Sequence, residues 1–117
     1  MINSVAFVVY PVSNMAVARR FYEEILGLRL ESNYQEKWLE YDVAGATFAI
    51  TTFDMGRIPG GNGGLVAFEV DDLDATLKAL QEKGVRVPAE VVTTPVCRFA
   101  SVTDPDGNEL IVHRRNA

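Results

Sequence analysis

The hydrophobic and polar positions of this chain form one pattern that occurs twice. Each copy has an apolar run, a pair of polar residues, a helical pattern and a glycine. The polar pair predicts a helix N-cap, and the glycine predicts the left-handed residue that ends a helix. Each copy therefore begins as a strand followed by a helix. In the first copy the apolar run is 5–12, the N-cap is Ser13 or Asn14, and the glycine is Gly27. In the second copy the apolar run is 65–70, the N-cap is Asp71 or Asp72, and the glycine is Gly84.

Apolar residues recur at helical spacing inside both copies and predict a buried stripe on each helix. Asn14 and Asp72 are 58 residues apart, whereas Gly27 and Gly84 are 57 residues apart. The first predicted helix therefore holds one residue more than the second. The stripes are Ala18, Phe21, Tyr22 and Ile25 in the first helix, and Leu73, Leu77 and Leu80 in the second.

Three further strands follow each helix, so each copy is predicted as strand–helix–strand–strand–strand. We predict one α+β domain over 1–117, with module one at 1–53 and module two at 65–117. The glycine-rich linker 54–64 between them is predicted to be a flexible connector, with a mobile lid as the alternative. The predicted strands are a weak one near 28–31, the hairpin 38–43 and 47–51, a weak one over 85–92, and the hairpin 97–102 and 110–113.

Composition removes several classes of protein. The chain is 48% hydrophobic with a net charge of −5, which argues against a disordered chain and against a nucleic-acid binder. No apolar run approaches a membrane span, and the strand-like start predicts no signal peptide. The single cysteine excludes an internal disulfide framework, so we expect a cytoplasmic protein.

Three short motifs carry a resemblance. They are FYEEILGL at 21–28, FEVDD at 68–72 and DPDGN at 104–108. Together they resemble the vicinal oxygen chelate superfamily, which includes glyoxalase I, extradiol dioxygenases and bleomycin-resistance proteins. The resemblance implies two tandem βαβββ modules that form a curved mixed sheet around a central cavity. It also implies a homodimer, because short two-module chains of the family often pair.

The resemblance also implies where metal-dependent members place their ligands. Four strand positions carry His or Glu in those proteins, and here they fall on Phe7, Ala49, Leu65 and Ile111. None of these side chains can donate to a metal. We therefore predict no metal and no other cofactor. A shift of two residues on the last strand reaches Glu109 or His113, which leaves that end of the assignment open.

Strand alternation predicts which side chains face the cavity. About the turn at 104–108, Ser101 should pair with Ile111, and Phe99 with His113, while Leu110 and Val112 point at the helix. In module one an alternative stays open, in which Trp38 and Tyr41 exchange faces with Leu39 and Glu40. The predicted ligand-binding residues are Phe7, Val9, Leu39, Ala49, Thr51, Leu65, Ala67, Glu69, Cys97, Phe99, Ser101, Ile111 and His113.

These features predict a protein that binds a small molecule in an apolar cavity without a catalytic metal, like bleomycin-resistance proteins. The alternative is an enzyme of the same superfamily, of lyase or dioxygenase type. It would use polar side chains such as Glu69, Cys97 or His113 without a metal, or hold a metal at positions misaligned above. Glu69 itself has two interpretations: a base with a raised pKa in an apolar cavity, or a carboxylate bonded to backbone. The net negative charge favours a cationic ligand.

Overall fold

The predicted βαβββ pattern occurs twice in the computed structural model, which describes residues 1, 3–61 and 63–116. The chain divides into two compact units at the boundary between Gly61 and residue 62, inside the predicted linker. Asn62 of that linker, and Ala117, lie outside the described residues. Each unit contains one module, and the predicted α+β class is confirmed. Within the described ranges, no helix has the length and apolar character needed to span a membrane.

Module one folds as a mixed four-stranded sheet in the order β1-β4-β3-β2. Strands β1 and β4 run parallel, and the other neighbouring pairs are antiparallel. The elements are β1 Val8–Pro11, α1 Met15–Arg19, a π-helical turn Arg20–Ile25, β2 Arg29–Tyr34, β3 Trp38–Val43 and β4 Ala46–Thr51.

Module two repeats this topology in the order β5-β8-β7-β6. One prediction here is wrong: of the strand expected over 85–92, only Val92 pairs, in a strand of two residues. Pro88 lies in the middle of that segment and has no N–H to donate to a ladder. The elements are β5 Val66–Glu69, α2 Leu73–Glu82, β6 Val92–Thr93, β7 Cys97–Thr103 and β8 Glu109–Arg115.

Both helices begin at the predicted caps. The Asn14 carboxamide oxygen accepts a hydrogen bond from the Val17 N–H at 3.1 Å. The Asp72 carboxylate accepts one from the Ala75 N–H at 3.0 Å. Each bond satisfies a backbone donor that has no partner within the helix.

The extra residue of the first helix is accommodated in the π-helical turn. There the Leu26 N–H donates to the Phe21 carbonyl at 2.9 Å, a spacing of five residues instead of four. A π-turn inserts one residue into a helix without ending it. Both helices then reach a left-handed glycine, Gly27 at φ +74° and Gly84 at φ +89°. The one-residue difference between the repeats thus has a defined place in the fold.

The core of module one lies between the helix and one face of the sheet. The Tyr22 ring lies 5.2 Å from the Phe48 ring and 6.3 Å from the Tyr41 ring, measured between centroids. Tyr22 and Tyr41 are fully buried. These contacts identify the helix-side face of this sheet. The buried stripe of the helix includes Ala18, Phe21 and Tyr22, as predicted.

The core of module two is built in the same way. Leu110 and Val112 are buried, which confirms the prediction that they lie on the helix side. Arg98, on the same face of β7, reaches the Asp74 carboxylate of α2 at 3.1 Å. The helix contributes its predicted stripe of Leu73, Leu77 and Leu80.

The turn between β7 and β8 positions both strands. The buried Asp104 carboxylate accepts hydrogen bonds from the backbone N–H groups of Asp106 and Asn108, each at 2.9 Å. It also accepts one from the Asn108 carboxamide at 2.8 Å. Gly107 has φ +88°, which favours glycine. The DPDGN motif is therefore a hydrogen-bonded turn, as predicted.

Candidate ligand-binding site

The face of each sheet turned away from its own helix, here called the helix-free face, carries most of the predicted ligand-binding residues. In module two the predicted pairs Ser101–Ile111 and Phe99–His113 are both present. Cys97 pairs with Arg115 and therefore lies diagonally across from His113 on the same face.

Strand β5 extends this face on the other side of β8. Ala67 lies beside Ile111, and Glu69 lies beside His113. Leu65 directly precedes the strand and is exposed. Alternation thus brings a thiol, an imidazole and a carboxylate to one end of one face.

A cavity of about 410 Å³ lies at this end of module two. Its volume falls within the range of small-molecule sites. Of the predicted ligand-binding residues, it includes Cys97 and His113. It also includes four residues that the sequence analysis missed. The full lining is Pro95, Val96, Cys97, His113, Arg115 and Asn116.

Two side chains of this region form a close polar pair. One oxygen of the Glu69 carboxylate, Oε1, lies 2.5 Å from His113 Nδ1. Its other oxygen accepts a hydrogen bond from the Arg115 backbone N–H at 2.7 Å. The Arg115 N–H lowers the pKa of Glu69, and the hydrogen bond from His113 lowers it further. This contradicts the base with a raised pKa and agrees with the backbone-bonded carboxylate.

Cys97 is buried and held by its own loop. Its Sγ atom lies 3.2 Å from the Thr94 hydroxyl oxygen. That hydroxyl also accepts the Cys97 N–H at 3.0 Å. Asn116 closes the loop, because its backbone N–H donates to the Val96 carbonyl and its side chain to the Pro95 carbonyl. The thiol thus forms part of the wall of the cavity.

The remaining predicted residues of module two lie outside this cavity. Phe99, Ser101 and Ile111 share the helix-free face but are not part of the lining. The Ser101 hydroxyl donates to the Glu109 carboxylate at 2.5 Å. Ser101 is thereby satisfied within the protein.

One site prediction in module one is wrong. Leu39 was expected beside Ala49 and Thr51, but it pairs with Ile50 and is fully buried on the helix side. Trp38 and Glu40 take the helix-free face instead, opposite Thr51 and Ala49.

The register of the first hairpin explains the difference. Ala44 and Gly45 both have positive φ, at +51° and +93°, and form a two-residue turn. That turn places Tyr41 opposite Phe48, and a shift of one residue exchanges every side chain between the faces.

The other predicted residues of module one do lie on the helix-free face. Val9 pairs with Ala49, and Thr51 follows two residues later on the same side. The Phe7 ring contacts the Trp38 ring edge-on at 5.2 Å between centroids. The Trp38 indole N–H donates to the Glu40 carboxylate at 2.8 Å.

Comparison with known proteins places this geometry in a family. Residues 3–112 match the Glyoxalase/Bleomycin resistance protein/Dioxygenase superfamily. The chain belongs to this superfamily. No curated protein matches it.

Solved structures resemble the chain over 97–98% of its length. TnmS3, an antibiotic binding protein from Streptomyces sp. CB03234, is 31% identical over 98% of both chains, with a TM-score of 0.86. A glyoxalase/bleomycin resistance protein from the same source is 31% identical over 97% of this chain and 100% of its own, with a TM-score of 0.77. A superfamily member from Sphaerobacter thermophilus DSM 20745 is 25% identical over 97% of this chain and 98% of its own, with a TM-score of 0.80.

The residues that the resemblance places at the four metal-ligand positions do not fit a metal. Ala49 lies beside Val9 in module one, and Ile111 lies beside Ala67 in module two. Phe7, Leu65, Ala49 and Ile111 have only carbon and hydrogen in their side chains, whereas divalent metals need nitrogen, oxygen or sulfur donors. Across the described ranges, no three His, Cys, Asp or Glu residues are grouped closely enough to hold an ion.

Proposed function

We propose that this superfamily member binds a small organic molecule of the antibiotic class reversibly, without a metal and without converting it. The observation that carries the proposal is the 31% identity to an antibiotic-binding protein over 98% of both chains. The cavity of about 410 Å³ in module two supports it, because its volume suits a small molecule.

Metal independence is supported by the donor chemistry. The resemblance places the ligands of metal-dependent members at Phe7, Ala49, Leu65 and Ile111, whose side chains are apolar. A two-residue shift of the ligand position on the last strand would reach Glu109 or His113, and both side chains already have partners within the protein. Glu109 accepts from Ser101, and His113 lies against Glu69.

The catalytic alternative has less support. A nucleophilic cysteine needs a base within hydrogen-bonding reach, and the described polar partner of the Cys97 thiol is Thr94 at 3.2 Å. Glu69 has a lowered pKa, which makes it a weak base. A non-catalytic site therefore accounts better for these contacts.

Equilibrium dialysis of untagged, chelator-treated protein tests the proposal. The probes are metal-free bleomycin and a panel of other natural-product antibiotics. Each ligand is recovered after dialysis, and its molecular mass is measured by mass spectrometry. We expect saturable binding of at least one probe, unchanged by chelator, with the ligand recovered intact. Conversion of the ligand, a requirement for added metal, or no binding across the panel contradicts the proposal.

We also propose that the chain forms a homodimer in the cytoplasm. The dimer is the arrangement implied by the superfamily, and the single cysteine suits a reducing compartment. Light scattering after gel filtration should give twice the chain mass of 12.9 kDa. A mass equal to one chain contradicts the dimer.

A further inference from the structure

We propose that the cavity of module two binds the carboxylate of a small organic acid, with the Arg115 guanidinium as its ionic partner and His113 as a second polar contact. The proposal rests on the proposed function, because it names a class of ligand for that binding protein. It concerns a cavity built by module two alone.

The charge of the lining favours an anion. Among the described lining residues, Arg115 carries the formal charge and none is acidic. Among the described residues, no carboxylate lies within ion-pair distance of the Arg115 guanidinium. The local charge is therefore opposite in sign to the net charge of −5, which on its own favours a cationic ligand. A planar guanidinium matches the geometry of a carboxylate.

Glu69 lies near the Arg115 charge, which, after the Arg115 backbone N–H and His113, also lowers the pKa of Glu69, but both of its oxygens are hydrogen-bonded elsewhere. One of its oxygens contacts His113 Nδ1, and the other accepts the Arg115 backbone N–H. Arg114 lies 3.9 Å from the same second oxygen. The carboxylate is thus engaged by three neighbours, and among the described residues no hydrogen bond or ion pair joins it to the Arg115 side chain.

His113 is oriented for the same ligand. Because Glu69 takes Nδ1, the ring nitrogen left for a ligand is Nε2. Fixing one imidazole nitrogen with a carboxylate defines what the other presents. Pro95 and Val96 form the apolar part of the lining, so the body of the ligand should be apolar. Benzoate combines an apolar ring with a carboxylate and serves as the first probe.

The chain has one histidine, so its ring C–H resonance reports on this cavity without ambiguity. We expect benzoate to shift the His113 resonance saturably, and benzamide and benzylamine, which lack the negative charge, to leave it in place. Arg115→Gln should weaken benzoate binding roughly tenfold or more, since a charge-assisted hydrogen bond is lost. The Arg115 backbone N–H bond to Glu69 remains in this variant.

Arg86→Gln is the matched control, because it removes the same charge from an exposed residue of module two outside the lining. It should keep benzoate affinity within about twofold, as expected for an exposed charge. Equal shifts by benzoate and benzamide, equal affinity in Arg115→Gln and wild type, or no shift with any probe overturns the inference. If the protein binds an antibiotic in dialysis but benzoate does not shift the His113 resonance, this inference alone is overturned and the proposed function stands.

Discussion

Each module has a parallel strand pair with the same pattern of backbone hydrogen bonds, but the two modules carry different side chains at the end of that pair. In module one the last pair of the parallel ladder is Pro11–Thr51, and the next N–H, from Val12, donates to the Thr51 carbonyl at 2.8 Å. In module two the equivalent pair is Glu69–His113, followed by the Val70 N–H bond to the His113 carbonyl at 2.9 Å. Equivalent backbone thus carries neutral side chains in one copy and ionisable ones in the other.

The side chains at these equivalent positions have different uses. The buried Thr51 hydroxyl donates to the Lys37 carbonyl at 2.8 Å and accepts the Phe53 N–H at 2.9 Å. It therefore serves the backbone of its own module. His113 instead contacts Glu69 and lines a cavity. The comparison indicates that the two repeats share a scaffold of cores, caps and turns, while the proposed site depends on a few residues at the strand ends.

Truncation of core side chains at equivalent positions of the two modules should lower the free energy of unfolding more than any other change. Phe48 and Leu110 occupy matching positions, next to Val8 and Val66, and both are buried. We expect Phe48→Ala and Leu110→Ala each to lower the free energy of unfolding by about 3–5 kcal/mol in urea titrations. A loss below about 1 kcal/mol in one of them would show that the modules do not share this core position.

Glu23→Gln should sharpen the comparison, because module one uses a partly buried carboxylate to stabilise its own fold. The Glu23 carboxylate bonds Arg19 at 2.7 Å and accepts from the buried Tyr41 hydroxyl at 2.8 Å. We expect a loss of about 1–2 kcal/mol at pH 7 in urea titrations. Glu24→Gln, on the exposed side of the same turn, is the control and should change little.

The pH dependence of the Glu23→Gln effect gives a second readout. The hydrogen bond from Arg19 lowers the pKa of Glu23, and the Tyr41 hydroxyl lowers it further. A lowered folded pKa stabilises the protein above the unfolded value of about 4.3, and this contribution disappears as the pH falls through the folded pKa. The gap between wild type and variant should therefore close in acid. A gap that widens below pH 4 would contradict this.

The helix caps test the repeat at a smaller scale. Asn14 and Asp72 are equivalent N-caps with equivalent hydrogen bonds. Asn14→Ala and Asp72→Ala should each cost about 1 kcal/mol of unfolding free energy. Thermal melts of the two variants should show similar decreases. Loss of stability in only one variant would break the equivalence of the two helices.

His113→Thr should have the smallest effect on stability and the most specific effect on binding. It places in module two the residue that module one has at the equivalent position. We expect a melting temperature nearer to wild type than those of the core, Glu23 and cap variants, together with weaker benzoate binding measured by calorimetry. Unchanged benzoate affinity would show that the difference between the modules has no role in binding.

The sequence could predict what depends on neighbouring residues. The caps, the glycine helix ends, the turn at 104–108 and the pairs Ser101–Ile111 and Phe99–His113 depend on local hydrogen bonds and on strand alternation. The position of Leu39 could not be derived in this way, because one residue of register in the first hairpin decides its face.

The cavity was harder to foresee for two reasons. Pro95 and Val96 lie in a loop before β7, where alternation gives no direction. The predicted last strand ends at His113, whereas β8 continues two residues further, to Arg115. Extending the alternation by two residues would have placed Arg115 on the same face.

Binding without a metal is the central claim of this account, and metal content tests it most directly. Elemental mass spectrometry should be applied to untagged protein prepared without chelator, and again after exposure to nickel, manganese, iron or zinc. We predict less than about a tenth of an equivalent per chain and an unchanged melting temperature. Close to one equivalent per chain, with a raised melting temperature, would contradict the claim and make His113 and Glu109 the first residues to test as ligands.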